Sequence, residues 1–291
     1  IVGNYTNIVI PNNVRAENLF VKKPPYQYMD GFSPNLNKYL HIGHFSNLVI
    51  AKAIKRMGMC KRSISIYGDT QEGEVQKEDA IKKLNFYFDK FYYKPDIEFY
   101  ASEMKLESKL LQDGKGEYEG CKIFMAGDQP VVGIKSDGST SYFYQDICLS
   151  EKLNDSTLYI TGKEQSNHFT LVKKIVPHIE HLPLGLLKVN GKKMGNRFGN
   201  VIFIHDMIDE IAEELNFSKE NYDLQLIYNI FAGLVLRTTP ESDKNIDMDS
   251  ITSLNSPGFY LSYTMARMDS AGVNEYLENS LFKRKEFYSN E

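Results

Sequence analysis

Cysteine is scarce in this 291-residue chain, and tryptophan is absent. The three cysteines, Cys60, Cys121 and Cys148, stand far apart and form no Cys-x-x-Cys pair. That spacing argues against a cysteine-rich zinc site. An odd cysteine count without a secretory leader fits a reducing, cytoplasmic setting. No apolar run is long enough to span a bilayer, so no membrane partner is expected. Positive charge is not in excess either: 34 Lys and Arg stand against 38 Asp and Glu, a net −4. Composition therefore gives no support for nucleic-acid binding, although a local patch can still provide it. The first residue is Ile rather than Met, which is expected of a processed or trimmed product.

What is present is ordinary for a soluble globular protein, with 42% hydrophobic and 25% charged residues. The length suits one large α/β domain or two modest ones. Residues 1–25 read as a polar, Asn-rich arm leading into the fold. Tyr26 to Phe32 is strand-like, and a helical pattern runs from about His44 to Met59 with Val49, Ile50, Ala53, Ile54 and Met57 on one face. Ser63–Tyr67 alternates like a strand and ends at the Gly68-Asp69 turn. Residues 71–119 are rich in Lys, Glu, Phe and Tyr and read as a helical insertion. Val131–Ile134 predicts a short strand running into a phosphate-friendly loop, Lys135–Thr140, with a helix from near Tyr144. Thr157–Thr161 and Leu186–Val189 read as further strands. Ser166 is placed to cap a helix over His168–Ile175, and Asp206 to cap another. From about Leu224 the pattern is helical, interrupted around 239–245. Strands alternating with helices predict a doubly wound parallel sheet, whose ligands sit beyond the carboxyl ends of the strands.

Two stretches carry chemistry. The first is Ser33-Pro34-Asn35-Leu36-Asn37-Lys38-Tyr39-Leu40-His41-Ile42-Gly43-His44. His41 and His44 stand three apart where a helix starts, so they share a side. Gly43 permits close approach of a ligand, and a helix N-terminus favours negative charge. A nucleoside triphosphate suits this turn; a helix start with two surface histidines is the plainer reading. The second is Gly191-Lys192-Lys193-Met194-Gly195-Asn196-Arg197-Phe198-Gly199-Asn200-Val201. A Gly-rich loop with Lys192, Lys193 and Arg197 can close over phosphates and stabilise charge on a leaving pyrophosphate. The plainer reading is a basic surface loop.

The first stretch resembles the His-Ile-Gly-His signature of class I aminoacyl-tRNA synthetases, and with its Ser-Pro-Asn lead it is similar to arginyl-tRNA synthetases in particular. The second resembles the KMSKS signature in its arginyl form, Gly-Lys-Lys-Met-Ser-Thr-Arg-Lys-Gly-Asn-Val. It departs from that form at Gly195, Asn196 and Phe198. Gly68-Asp69 is similar to a Gly-Asp of the family, but the Trp-Gly that follows there is missing. Asn255 to Met268 resembles a later block, so the matches run in family order from about 29 to 268.

The resemblance implies a Rossmann-like, HUP-type catalytic domain over 26–215, with an insertion at about 71–119 and a helical segment over 216–291. It implies His41, His44 and Lys193 as catalytic residues and Lys38, Gly43, Lys192, Met194 and Arg197 as ATP-binding residues. It implies Asp30, Asn35, Tyr142, Asp146 and Gln165 around the amino acid. Asp30 stands where the family has Glu, and Gln145 where it usually has Arg. A guanidinium is a planar fork of donors and calls for two carboxylates and flat polar partners. Tyr142 and Asp146, four apart, would share a helical face.

The implied activity is ATP-dependent adenylation of arginine or a close analogue, then transfer to tRNA. Mg²⁺ would accompany ATP as a phosphate counterion. The family usually carries an N-terminal tRNA-contacting domain and a C-terminal anticodon-binding domain. The stretches flanking the match here are too short for either, so the expectation is a catalytic core: a fragment or a stand-alone paralogue. Two alternatives stay open, an amino-acid-activating ligase with a non-tRNA acceptor and a non-catalytic binder of arginine or tRNA. A metal site on His41, His44 and His168 is not assigned, because phosphate explains the first two more simply.

Overall fold

Five short segments assemble into a parallel sheet whose central strands, covered on both faces, are more deeply buried than the edge strands. The computed structural model describes residues 24–36, 38–68, 77–100, 107–111, 116–193, 201–215, 223–247, 251, 253 and 256–270. The lead-in arm to residue 23, residues 194–200 of the Gly- and Lys-rich loop, Asn255 and the tail from 271 lie outside the described residues, as do the side chains of Lys192 and Lys193. Strands β1 (Tyr26–Asp30), β2 (Cys60–Tyr67), β3 (Ile97–Tyr100), β7 (Thr157–Gly162) and β8 (Ile179–Leu184) pair in the order β3-β2-β1-β7-β8, all parallel. The chain builds outward from β1 through β2 to β3, then returns to the other side of β1. The switch point therefore lies between β1 and β7, where open α/β sheets bind ligands.

Strand β7 shows how the layers form. Leu158 and Ile160 join a core with helix α1 (Ile42–Arg56), α5 (Ile204–Glu214) and α6 (Leu224–Val235). Tyr159, pointing the other way, joins a second core with α3 (Tyr142–Leu153) and α4 (Ser166–Ile175). The two-residue strand period thus divides one strand between two layers. The second core also takes Phe124 and Ala126 of an antiparallel sheet, β4 (Gly116–Tyr118), β5 (Cys121–Ala126) and β6 (Gln129–Ile134).

Several expectations shift. Helix α1 begins at Ile42, because His41 caps it, and stops at Arg56. Gly58 takes a left-handed φ of 73°, and the Met59 amide bonds back to Ile54, so Met57 is 41% exposed rather than on the buried face. The stretch 71–119 is helical only over α2 (Lys77–Lys90) among the described residues; β3 then joins the main sheet and β4 the small one. The segment Val131–Ile134 is a strand, but of the small antiparallel sheet. In the loop after it, three amides are already bonded within the loop. Those of Lys135, Gly138 and Ser139 are bonded to Ser139 O, Lys135 O and the Asp137 carboxylate.

Helix α3 is capped by Ser141 and starts two residues earlier than expected. Ser166 opens α4 from inside, with its hydroxyl donating to Lys163 O, and Gln165 holds the N-cap position without a side-chain bond. Likewise Phe203 holds the N-cap position of α5 and Asp206 lies in the first turn.

Strand β9 (Leu187–Val189) lies outside the main sheet. It pairs antiparallel with β10 (Lys192–Lys193) and parallel with β11 (Lys244–Ile246). Asn190 and Gly191, with φ of 47° and 77°, form the two-residue turn that joins β9 to β10. Asn-Gly is the pair such a turn favours.

Helix α6 meets α7 (Pro257–Ser270) at two glycines. A side chain at Gly233 would collide with the Gly258 amide nitrogen, and one at Gly258 with Asn229 O. Backbone cannot yield as a side chain can, so Gly258→Val is expected to destabilise the fold by about 1–3 kcal/mol, read as a lowered urea midpoint. An unchanged midpoint would mean the two helices slide apart freely.

Candidate active site

The carboxyl end of β1 carries a buried carboxylate. Asp30, the last residue of that strand, is 7% exposed. The Ser33 hydroxyl donates to its Oδ1 at 2.5 Å and itself accepts the Ile66 amide at 2.8 Å, which binds the loop after β1 to β2. Burial raises the Asp30 pKa from an ordinary 3.8 to about 7; the Ser33 bond opposes this, and the nearby negative charge of Asp146 adds to it. Asp146 projects from α3, and its Oδ2 is 2.6 Å from His168 Nε2 of α4. Tyr159 sits in the field of both carboxylates, its hydroxyl bonded to that of Ser150 at 2.8 Å. The structure thus brings Asp30, Asp146 and His168 together from three elements.

The other expected amino-acid contacts fall around this centre unevenly. Tyr142 stands one helical turn before Asp146 and is 64% exposed. Gln165 is exposed at the start of α4, three residues before His168. Asn35 lies against Gly68 at the end of β2, close enough that a Cβ there would collide with its Oδ1, and the two residues form a parallel bridge. Gln145 donates to Thr140, holding the loop that precedes α3.

The histidine turn is a reciprocal cap. The His41 Nδ1 accepts the Gly43 amide at 3.2 Å, and the His44 Nδ1 accepts the His41 amide at 3.2 Å. The rings stack at 3.8 Å, 23° from parallel. An Nδ1 that accepts a hydrogen bond carries no proton, so each neutral ring keeps its proton on Nε2. Burial holds His44 down to about 3, with the charges of His41 and Lys38 acting the same way; burial also lowers His41. Two neutral imidazoles with Nε2–H donors therefore stand at a helix N-terminus, beside the Lys38 cation. The Gly43 amide is committed to His41 and is not free for a ligand.

This turn is pinned to the far end of the Gly- and Lys-rich loop. The Ile42 amide donates to Ile202 O and the Ile204 amide to Leu40 O, both at 3.0 Å, with His41 bridged to Phe203. The near end of the loop leaves from β10.

Sequence reasoning gave no role to Ser33, Tyr159 or the His168–Asp146 bond. Ser33 was findable, since a hydroxyl three residues after a strand-end Asp readily bonds back to it. His168 and Tyr159 come from elements whose approach only the tertiary fold sets.

A five-stranded parallel sheet with a capped histidine turn at its switch point is a Rossmann-like core. Thermus thermophilus arginyl-tRNA synthetase shares this fold with a TM-score of 0.56 and 15% identity, over 88% of this chain and 66% of that one. In sequence, the chain is 25% identical to arginine–tRNA ligase of Lactobacillus acidophilus over 345 residues, 83% of this chain and 61% of that protein. It is 30% identical to arginine–tRNA ligase 1 of Bacillus cereus over 209 residues, 63% of this chain and 37% of that one. No protein-family model matches the chain. The chain is thus similar in sequence to arginine–tRNA ligases and spans 61% of the length of the L. acidophilus relative.

The raised Asp30 pKa bears on stability. Between about 3.8 and about 7 the folded state holds this proton more tightly than the unfolded chain. The stabilisation from the protonated form is complete below about 3.8 and lost as pH rises through about 7. Asp30→Asn is therefore expected to be more stable than the parent at pH 8, by on the order of 2–4 kcal/mol, with the gap closing toward pH 4. Urea unfolding at both pH values checks this; a constant gap would show Asp30 ionised without penalty.

Proposed function

We propose that the chain activates arginine, or a close analogue, with ATP and transfers it to the 3′ end of a tRNA. The observation that carries this reading is the pair Asp30 and Asp146 at the switch point, next to the histidine turn. A carboxylate buried within the field of a second one is costly alone, and a ligand with two positive charges between them relieves the cost. Arginine brings a guanidinium and an α-ammonium. Asp30 and Asp146 take one each, with Tyr142, Asn35 and Gln165 supplying flat or polar contacts. Sequence similarity to arginine–tRNA ligases supports the same ligand.

The substrate carboxylate attacks the α-phosphorus of ATP in line, the α–β bond breaks, and pyrophosphate leaves. A terminal tRNA hydroxyl then attacks the carbonyl carbon and AMP departs. The chain supplies position and charge, and no covalent intermediate on a side chain is needed. The Nε2–H groups of His41 and His44 donate to phosphate oxygens, and as neutral donors they stabilise developing charge without having to lose a proton. Lys38 adds a cation. Lys192 and Lys193 of β10, with Met194 and Arg197 following in the sequence, are assigned to the phosphates, with Lys193 the leading cation. Mg²⁺ accompanies ATP on the phosphate oxygens. Among the described residues no group of three or more His, Cys, Asp or Glu side chains is placed to hold a metal.

Residues 26–215 are proposed as the catalytic domain and 216–291 as the helical segment after it. No helix among the described residues is long and apolar enough to cross a membrane. Three free cysteines, two of them buried, support a cytoplasmic setting.

Asp146→Ala should abolish arginine binding measured by calorimetry; retained binding would place the pocket elsewhere. His44→Ala should slow arginine-dependent pyrophosphate release at least about tenfold, a loss of ~1.4 kcal/mol or more in transition-state stabilisation.

A further inference from the structure

The hairpin that carries Lys192 and Lys193 rests on a segment distant from it in the chain. Strand β9 pairs with β10 on one edge and with β11 on the other. The turn between β9 and β10 is held from the β11 side: the Asn190 amide donates to Ile246 O at 2.9 Å and the Gly191 amide to Asn245 Oδ1 at 2.8 Å. The base of the hairpin is held by the same segment. The Gly185 amide donates to Pro240 O and the Lys244 amide to Leu186 O, both at 2.9 Å. A side chain at Gly185 would collide with Ser242 O, so the two backbones touch there. Lys244, 7% exposed, folds the segment on itself: its Nζ donates to the carbonyls of Thr239, Pro240 and Ser242, each at 3.0 Å. Residues 239–246 and the hairpin thus make one unit.

Asp243 fastens this unit to the main sheet. Its Oδ1 accepts the Leu186 amide at 2.9 Å and the Lys163 ammonium at 2.5 Å, and its Oδ2 is 3.8 Å from Lys188 Nζ of β9. The Lys163 and Leu186 bonds hold the Asp243 carboxyl below the ordinary carboxylate range. Lys163 directly follows Gly162, the last residue of β7, and stands two residues before Gln165 and five before His168. One carboxylate therefore joins the strand end beside the proposed arginine pocket to the base of the hairpin. Lys163 and Asp243 are 43% and 37% exposed, so their pair adds little to global stability and acts locally, on where the hairpin stands. We propose that Asp243 is a positioning residue: through Lys163 and Leu186 it sets the hairpin against β7, and with it the backbone that bears Lys192 and Lys193. Misplacing a reacting or stabilising group by ~1 Å can cost on the order of a hundredfold in rate, so such a clamp bears on the chemistry. That consequence rests on the proposed function; the clamp itself does not.

The test uses the whole chain and reads amide hydrogen exchange at Asn190 and Gly191, the urea midpoint, arginine binding by calorimetry and arginine-dependent pyrophosphate release. Asp243→Ala should speed exchange at those two amides about tenfold, the scale of a lost charge-assisted hydrogen bond, with the urea midpoint near the parent's. Asp243→Asn keeps an acceptor for Leu186 but loses the charge, and should fall between the two. Lys163→Met should match Asp243→Asn, and the two together should be no worse than either alone. In Asp243→Ala, kcat for pyrophosphate release should fall about tenfold while arginine affinity is unchanged. Unchanged exchange in Asp243→Ala, additive effects of Asp243→Asn and Lys163→Met, or exchange that rises along the whole chain with a lowered midpoint overturns the clamp. Faster exchange with an undiminished kcat overturns its part in positioning the signature lysines. A parent that releases no pyrophosphate removes the proposed function and that part with it, and the exchange results still decide the clamp. Should Asp243→Ala fail to fold, Asp243→Asn and Lys163→Met decide the matter.

Discussion

A carboxylate at the end of a central parallel strand has little access to water, and Asp30 is held there by the order of the sheet. The switch between β1 and β7 puts α3 and α4 over that end, so Asp146 and His168 come to the same place. The rest of the site follows from this crowding. Ser33 gives Asp30 one hydrogen bond, which offsets only part of the burial penalty. His168 holds Asp146, and Tyr159 fills the apolar space beneath, its own hydroxyl anchored on Ser150. A protein with no cationic ligand would be better off with an amide at position 30. The retained acid is the physical argument for a cationic ligand.

The histidine turn is built on a separate constraint, the bridge between His41 and Phe203. It joins the N-terminus of α1 to the start of α5, two elements more than 150 residues apart in the chain. The reciprocal cap fixes both imidazoles as neutral Nε2 donors by hydrogen bonding. Burial lowers the pKa of both rings, which favours the neutral forms.

Much of the fold was legible in the chain. Alternation marked Ser63–Tyr67 and Thr157–Thr161 as strands, and the order of strands and helices indicated a parallel sheet. Which sheet a strand joins was not legible. Val131–Ile134 and Leu187–Val189 look like core strands, yet pair outside the main sheet, because the two-residue period says nothing of the partner. Nor did the Lys- and Glu-rich composition after residue 71 reveal β3, whose four residues are only partly buried at the sheet edge. Within the candidate site, short spacings told most: His41 with His44, and Tyr142 with Asp146. The approach of Asp30 to Asp146, over a hundred residues apart, depends on the crossover, and no local pattern records it. The lysine pair of the second signature is visible in sequence, and the Asn190-Gly191 turn that precedes it is a local signal that was there to be read.

The proposed function rests on two crowded carboxylates and two neutral imidazoles acting as one site for arginine and ATP. Pyrophosphate release from ATP, measured across a panel of arginine analogues with and without bulk tRNA, tests this most directly. Release should depend on arginine or a guanidino analogue and fail with neutral isosteres such as citrulline. Release with no dependence on a cationic side chain, or none in any condition, would contradict it.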